Sequence, residues 1–197
     1  MLYRRSVIYK IAERIHRIKV KILWLSQKKS FKAIGLNSSV LEPLYLMGAE
    51  FISIGDNFHC GKDVRLEAWS QYETQKFTPQ IIIGNNVMFT DRCYLSCINR
   101  IEINDNVLFG RDVFVADNSH GDIEMIDTPP AKRHLTSKGP VKIGKNVWVG
   151  RQVTILSGVS IGENSIIGAN SVVNKDIPPN CVAAGNPAIV LKYRNAI

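Results

Sequence analysis

The chain has 197 residues, enough for one main domain with a small appendage, and its 45% hydrophobic content with 14 Gly and 8 Pro argues against disorder. A formal net charge of +8 would suit a nucleic-acid or anionic-surface binder if it were spread over the molecule. It is not: residues 1–32 hold ten Lys/Arg against the single acid Glu13, while the rest holds fifteen basic and sixteen acidic residues, so the basicity belongs to an N-terminal arm.

Residues 1–34 are read as that arm, with a helix expected over 2–30. Ile8, Ile11, Ile15, Ile18, Ile22 and Leu25 step by three and four along one face, and Arg4, Arg5, Lys10, Arg14, Arg17, Lys21 and Lys28 take other faces. Two settings suit such a stripe. It can pack on its own domain or on the same helix of a neighbouring subunit, or it can lie as a peripheral membrane contact on an anionic cytoplasmic leaflet. Nucleic acid is not an expected partner, because Tyr3, Tyr9 and Trp24 form no stacking platform. Residues 35–51, with Gly35, Pro43 and Gly48, read as a linker.

From 52 to 179 one period dominates. In VKIGKNVWVGRQVTILSGVSIGENSIIGANSVVN, aliphatic residues recur at Ile143, Val149, Ile155, Ile161, Ile167 and Val173, often followed by glycine. A six-residue period fits neither an α-helix nor a flat amphipathic strand. It is the period of a parallel β-helix, in which three hexads close a triangular coil of about eighteen residues. Each coil buries its Val and Ile ladder only against the next. Earlier coils read at Ile54/Cys60/Leu66, Ile83/Phe89/Leu95 and Ile103/Phe109/Val115.

Register breaks at Glu67–Gln80, read as a short polar loop, and at residues 121–140. The second break carries three prolines, is too long for a turn, and is a candidate functional excursion leaving after the third coil. Pro178 and Pro179 are expected to stop the ladder, and residues 180–197 to cap the open end. The expected fold is therefore all-β dominated: a parallel β-helix with an N-terminal α-helix, one long loop and a C-terminal cap.

Cys60, Cys93, Cys97 and Cys181 make no C-x-x-C pair, and no His stands beside them at zinc-ligand spacing, so no metal is expected. Cys60 and Cys93 fall on inward positions and read as small buried hydrophobes, and reduced thiols fit the cytoplasm. No long uncharged apolar run is present to span a membrane, and charges interrupt any signal-peptide core. His120, in Asp117-Asn118-Ser119-His120-Gly121, closes a coil where the long loop departs. An imidazole, with its ordinary pKa of about 6.5, suits proton transfer at cytoplasmic pH.

The hexads, the DNSHG and SKGPVKIGKNVWVG segments and the ending KDIPPNCVAAGNPA together resemble the left-handed β-helix acyltransferases, over residues 50–192. Within them the chain is most similar to O-acetyltransferases of capsular or colanic-acid-type polysaccharides, and to those of galactosides, maltose and streptogramins. The resemblance implies a homotrimer with active sites between adjacent prisms, acetyl-CoA as donor, no metal, and a sugar or oligosaccharide acceptor. It makes His120 the general base. Trp148 would line the acceptor and pantetheine channel, and Arg151, Ala169, Asn174, Lys175 and Lys192 would contact CoA. Asp117 and Glu124 would stand near the acceptor and orient His120. Thr90 stands where the galactoside and maltose enzymes carry an acceptor-binding asparagine, and Ile189 where they carry a basic residue. Two other readings share the scaffold: an antibiotic O-acetyltransferase and a non-catalytic β-helix with a membrane-binding arm. A γ-type carbonic anhydrase is excluded, since no H-x-x-x-x-H pair occurs.

Overall fold

The computed structural model describes residues 7–121 and 124–194. The expected helix at 2–6, the excursion at 122–123 and the cap at 195–197 fall partly outside the described residues. Helix α1 spans Val7–Lys28. The rest is a three-sided column of short parallel strands.

One face stacks Ala33–Ile34, Ile52–Ile54, Gln80–Ile83, Arg100–Ile103, Val141–Ile143 and Ser160–Ile161. The second stacks Ser39–Val40, His59–Cys60, Met88–Phe89, Leu108–Phe109, Trp148–Val149 and Ile166–Ile167, then Cys181–Gly185 and Ala188–Tyr193. The third stacks Tyr45–Met47, Arg65–Ala68, Tyr94–Cys97, Phe114–Ala116, Thr154–Ile155 and Val172–Val173. Parallel register puts the inward residue of each hexad directly over the last. One column is all isoleucine: Ile34, Ile54, Ile83, Ile103, Ile143, Ile161. The second runs Cys60, Phe89, Phe109, Val149, Ile167, Ala183, with Phe89 and Phe109 stacked at 4.6 Å. Full burial of each large member contributes roughly 1.5–3 kcal/mol.

The corners carry their own order. Asn57, Asn86, Asn106, Asn146, Asn164 and Asn180 all have φ between 55° and 61°, a left-handed conformation that asparagine tolerates better than most residues. Their side chains form a continuous ladder of amide hydrogen bonds, each Nδ2 donating to the next Oδ1 at 2.9–3.1 Å.

Four expectations are corrected. Residues 35–51 are not a linker: with Ala33–Ile34 they make a further coil, paired through Ile34–Ile54, Val40–Cys60 and Leu46–Leu66. The described residues thus form six coils, and the long excursion follows the fourth, not the third. The break expected at Glu67 starts later, since Arg65–Ala68 stays in the column. There Glu67 is buried and accepts the Tyr94 hydroxyl at 2.6 Å, and burial, reinforced by this carboxylate, pushes that phenol up to about 12. What leaves the column is a hairpin, Gln71–Tyr72 against Gln75–Lys76. Finally, Pro178 and Pro179 do not stop the ladder. They occupy a corner, where no strand donor is needed, packed on Gly162; Ile177 bridges Ile161 before them, and Cys181–Gly185 continues the second face after them.

Candidate active site

His120 stands at the edge between the third and first faces, just beyond Phe114–Ala116, and its side chain is exposed. Three pieces of chain hold its position. Ser119–His120 pairs antiparallel with Leu135–Thr136 at the far end of the excursion, His120 opposite Leu135. Gly121 then turns away with φ 75°, where a Cβ would meet the Arg133 Cβ at 2.8 Å. The hairpin from the second coil supplies Tyr72, whose ring meets the imidazole edge-on at 5.5 Å. That hairpin is clamped to the excursion: the Tyr72 hydroxyl donates to the Ala131 carbonyl at 2.9 Å, and the Gln75 side-chain amide brackets the Leu135 backbone at 2.7 and 3.2 Å. Trp69 backs Tyr72 at 6.3 Å. Tyr72, Gln75 and Trp69 were not singled out from sequence. The only signal was that their segment breaks the hexad register, and nothing in it says that the hairpin reaches the fourth coil.

Asp117, expected beside the acceptor, is instead fully buried beneath the corner. Its two oxygens accept the Ile98 and Asn99 amides at 2.8 and 2.9 Å and the Cys97 thiol at 3.2 Å. Its own carbonyl accepts the Ser157 hydroxyl at 2.7 Å. A carboxylate committed to backbone donors in this way fixes the corner from which His120 projects and offers no free oxygen to the imidazole. Burial, aided by the Asp117 charge, pushes the Cys97 thiol well above its ordinary range. Glu124 lies exposed in the excursion, and no hydrogen bond or ion pair joins it to His120 among the described residues.

The remaining candidates divide between two regions of the prism. Asn174 and Lys175 follow Val172–Val173 on the same edge as His120, two coils further on, and both are exposed. Arg151 and Ala169 stack on the edge between the second and third faces, where the Asn170 amide donates to the Arg151 carbonyl at 2.9 Å. Trp148 points outward from the second face, 51% exposed. With Ile166, Val182, Lys192 and Tyr193 it lines a groove of about 690 Å³. Thr90 sits at the same corner as Arg111, one coil below it, and its buried hydroxyl has no hydrogen-bond partner among the described residues. The second face lies opposite the His120 edge. One chain therefore does not bring His120 together with Trp148, Arg151, Ala169 or Lys192.

The repeat itself is matched by the family model for the bacterial transferase hexapeptide (six repeats), over residues 140–175. Over 159 residues the chain is 35% identical to WbbJ of Escherichia coli K12, provisionally named an O-acetyl transferase of lipopolysaccharide biosynthesis, covering 78% of this chain and 77% of WbbJ. The chain belongs to the hexapeptide-repeat acetyltransferases. The galactoside O-acetyltransferase of the same organism is 32% identical over 173 residues, 85% of this chain and 66% of that enzyme. A solved galactoside acetyltransferase in complex with coenzyme A superposes with a TM-score of 0.60 at 29% identity, covering 92% of this chain and 82% of that one. As a hexapeptide-repeat acetyltransferase the column is a left-handed parallel β-helix, the hand opposite to ordinary strand crossovers.

Proposed function

We propose that this acetyltransferase moves an acetyl group from acetyl-CoA to a sugar hydroxyl in polysaccharide or lipopolysaccharide biosynthesis, with His120 as general base. The exposed imidazole, walled by Tyr72 and pinned opposite Leu135, carries the reading. The sugar-directed names of WbbJ and the galactoside enzyme support the acceptor class. The coenzyme A held by the solved neighbour supports the donor.

Acetyl-CoA supplies an activated carbonyl and a thiol leaving group. His120 takes the proton of the acceptor hydroxyl as that oxygen bonds to the acetyl carbon, and returns it to the departing sulfur. Backbone amides at the coil corners face the negative charge that grows on the carbonyl oxygen. The cations present fit the donor: among the described residues Arg151, Lys175 and Lys192 are exposed and make no ion pair, which leaves them available to phosphate. Since the His120 edge and the Trp148 groove lie on opposite sides of one prism, the reading takes a homotrimer. In it, His120, Asn174 and Lys175 of one protomer meet Trp148, Arg151 and Ala169 of the next. The cytoplasm suits four free, buried cysteines.

Thiol release from acetyl-CoA across a panel of nucleotide sugars and oligosaccharides tests the function. A sugar should stimulate release in the wild type; a panel without effect, alongside turnover of a hydrophobic antibiotic, would point to the antibiotic enzymes instead.

A further inference from the structure

Helix α1 uses only one of its two apolar surfaces to hold the prism. Val20 and Trp24 are buried against the first coil. The Trp24 indole donates to the Ser38 carbonyl at 3.1 Å, and the Gln27 side chain both donates to and accepts from Leu44. The second surface is the isoleucine stripe. At about 100° per residue, Ile8, Ile11, Ile15, Ile18, Ile22 and Leu25 fall in one arc of about 100°, centred about half a turn from Val20 and Trp24. All six are more than half exposed, from 52% to 79%. Of the settings open to such a stripe, the structure excludes packing on its own prism, since it faces away from the column.

The charge around the stripe points to its partner. Lys10, Arg14 and Lys21 lie along one margin and Lys19 along the other, by the same helical spacing, while Lys28 folds back over the Trp24 ring at 5.4 Å. Glu13, the single acid of the helix, lies on the prism side and pairs with Arg17 at 2.5 Å. Leu36 and Leu41 of the first coil add exposed apolar surface at the same end, at 74% and 61%. No helix among the described residues is long and apolar enough to cross a membrane. An apolar stripe between cationic margins lies in the plane of an interface, with its aliphatic side chains among acyl chains and its lysines and arginines at anionic headgroups. A neighbouring copy of the same helix would set these cations against one another, so charge disfavours self-pairing.

We infer that α1 is an in-plane membrane anchor that seats the first-coil end of the prism on an anionic lipid surface. This holds whatever acceptor the enzyme uses. Co-sedimentation of the full chain with phosphatidylglycerol–phosphatidylcholine vesicles, and with phosphatidylcholine vesicles alone, tests it. The wild type should pellet with the anionic vesicles, weaken as salt is raised, and bind pure phosphatidylcholine at least about tenfold more weakly. Ile11→Asp/Ile15→Asp/Ile22→Asp leaves Val20 and Trp24 in place and should lose binding by about tenfold or more. Its oligomeric mass and its thiol release with a soluble acceptor should stay unchanged. Lys10→Glu/Arg14→Glu/Lys21→Glu should abolish the preference for anionic vesicles. Equal partitioning of wild type and isoleucine variant would overturn the anchor. So would a wild type that pellets with neither vesicle, or an isoleucine variant that falls apart into monomers, which would make the stripe a subunit seam.

Discussion

The Tyr72 ring abuts the imidazole of His120 edge-on, 5.5 Å between centroids and 71° between planes, although the two residues leave the column from the second and fourth coils. The tyrosine is held in turn by its hydroxyl on the Ala131 carbonyl. A base must be positioned closely to act, and this ring limits the swing of the imidazole. Tyr72→Ala should lower kcat by about tenfold or more with KM for acetyl-CoA little changed. Tyr72→Phe, which keeps the ring, should retain most of the rate. Steady-state kinetics on the two variants checks this, and equal rates for alanine and phenylalanine would assign Tyr72 no positioning role.

Gln75 closes both backbone groups of Leu135, the residue opposite His120. Gln75→Ala removes two hydrogen bonds, a loss of about 1–3 kcal/mol confined to the excursion. Amide hydrogen exchange should quicken around residues 133–137 while the column is unchanged, and turnover should fall.

The asparagine ladder predicts a stability effect remote from the site. Asn106 combines φ 61° with bonds to Asn86 and Asn146. Asn106→Ala adds the left-handed strain of a Cβ without a local partner and breaks the ladder, which should cost about 1–3 kcal/mol. Asn106→Gly relieves the strain but not the break, so its thermal midpoint should lie between wild type and alanine variant.

The buried thiols predict a pH dependence. Burial, chiefly, pushes Cys60 and Cys93 up to about 12, with Cys97 raised further. Above the ordinary thiol pKa of about 8.5, the unfolded chain loses protons that the folded chain keeps. This contribution to stability is fully present below that pH and is lost as pH rises toward 12. Urea midpoints should therefore be level near neutrality and fall through the alkaline range. The native protein at neutral pH should resist a thiol reagent that labels it fully once denatured.

Much of the column was legible because the hexad period is a burial rule: Ile143, Val149 and Ile155 announce three faces by spacing alone. The first coil obeys the same rule at Ile34, Val40 and Leu46. As the end coil it has a neighbouring coil on one side only, so these residues are half-buried, and its Gly35, Pro43 and Gly48 read as a linker. His120 was legible from its place at a break in the repeat. Asp117 was misplaced because sequence adjacency does not say which way a corner residue turns; it points under the corner to the Ile98 and Asn99 amides. Tyr72 was invisible because its contact depends on how far a hairpin rises along the column. The stripe of α1 was legible as a stripe, but only Val20 and Trp24 reveal that it faces outward.

The most direct measurement is the rate of thiol release from acetyl-CoA, with an active sugar acceptor, by wild type and His120→Ala. A general base predicts a fall of about a hundredfold or more, with the circular dichroism spectrum and oligomeric mass unchanged. A variant that folds normally and turns over at the wild-type rate would contradict the assignment of His120 and the mechanism built on it.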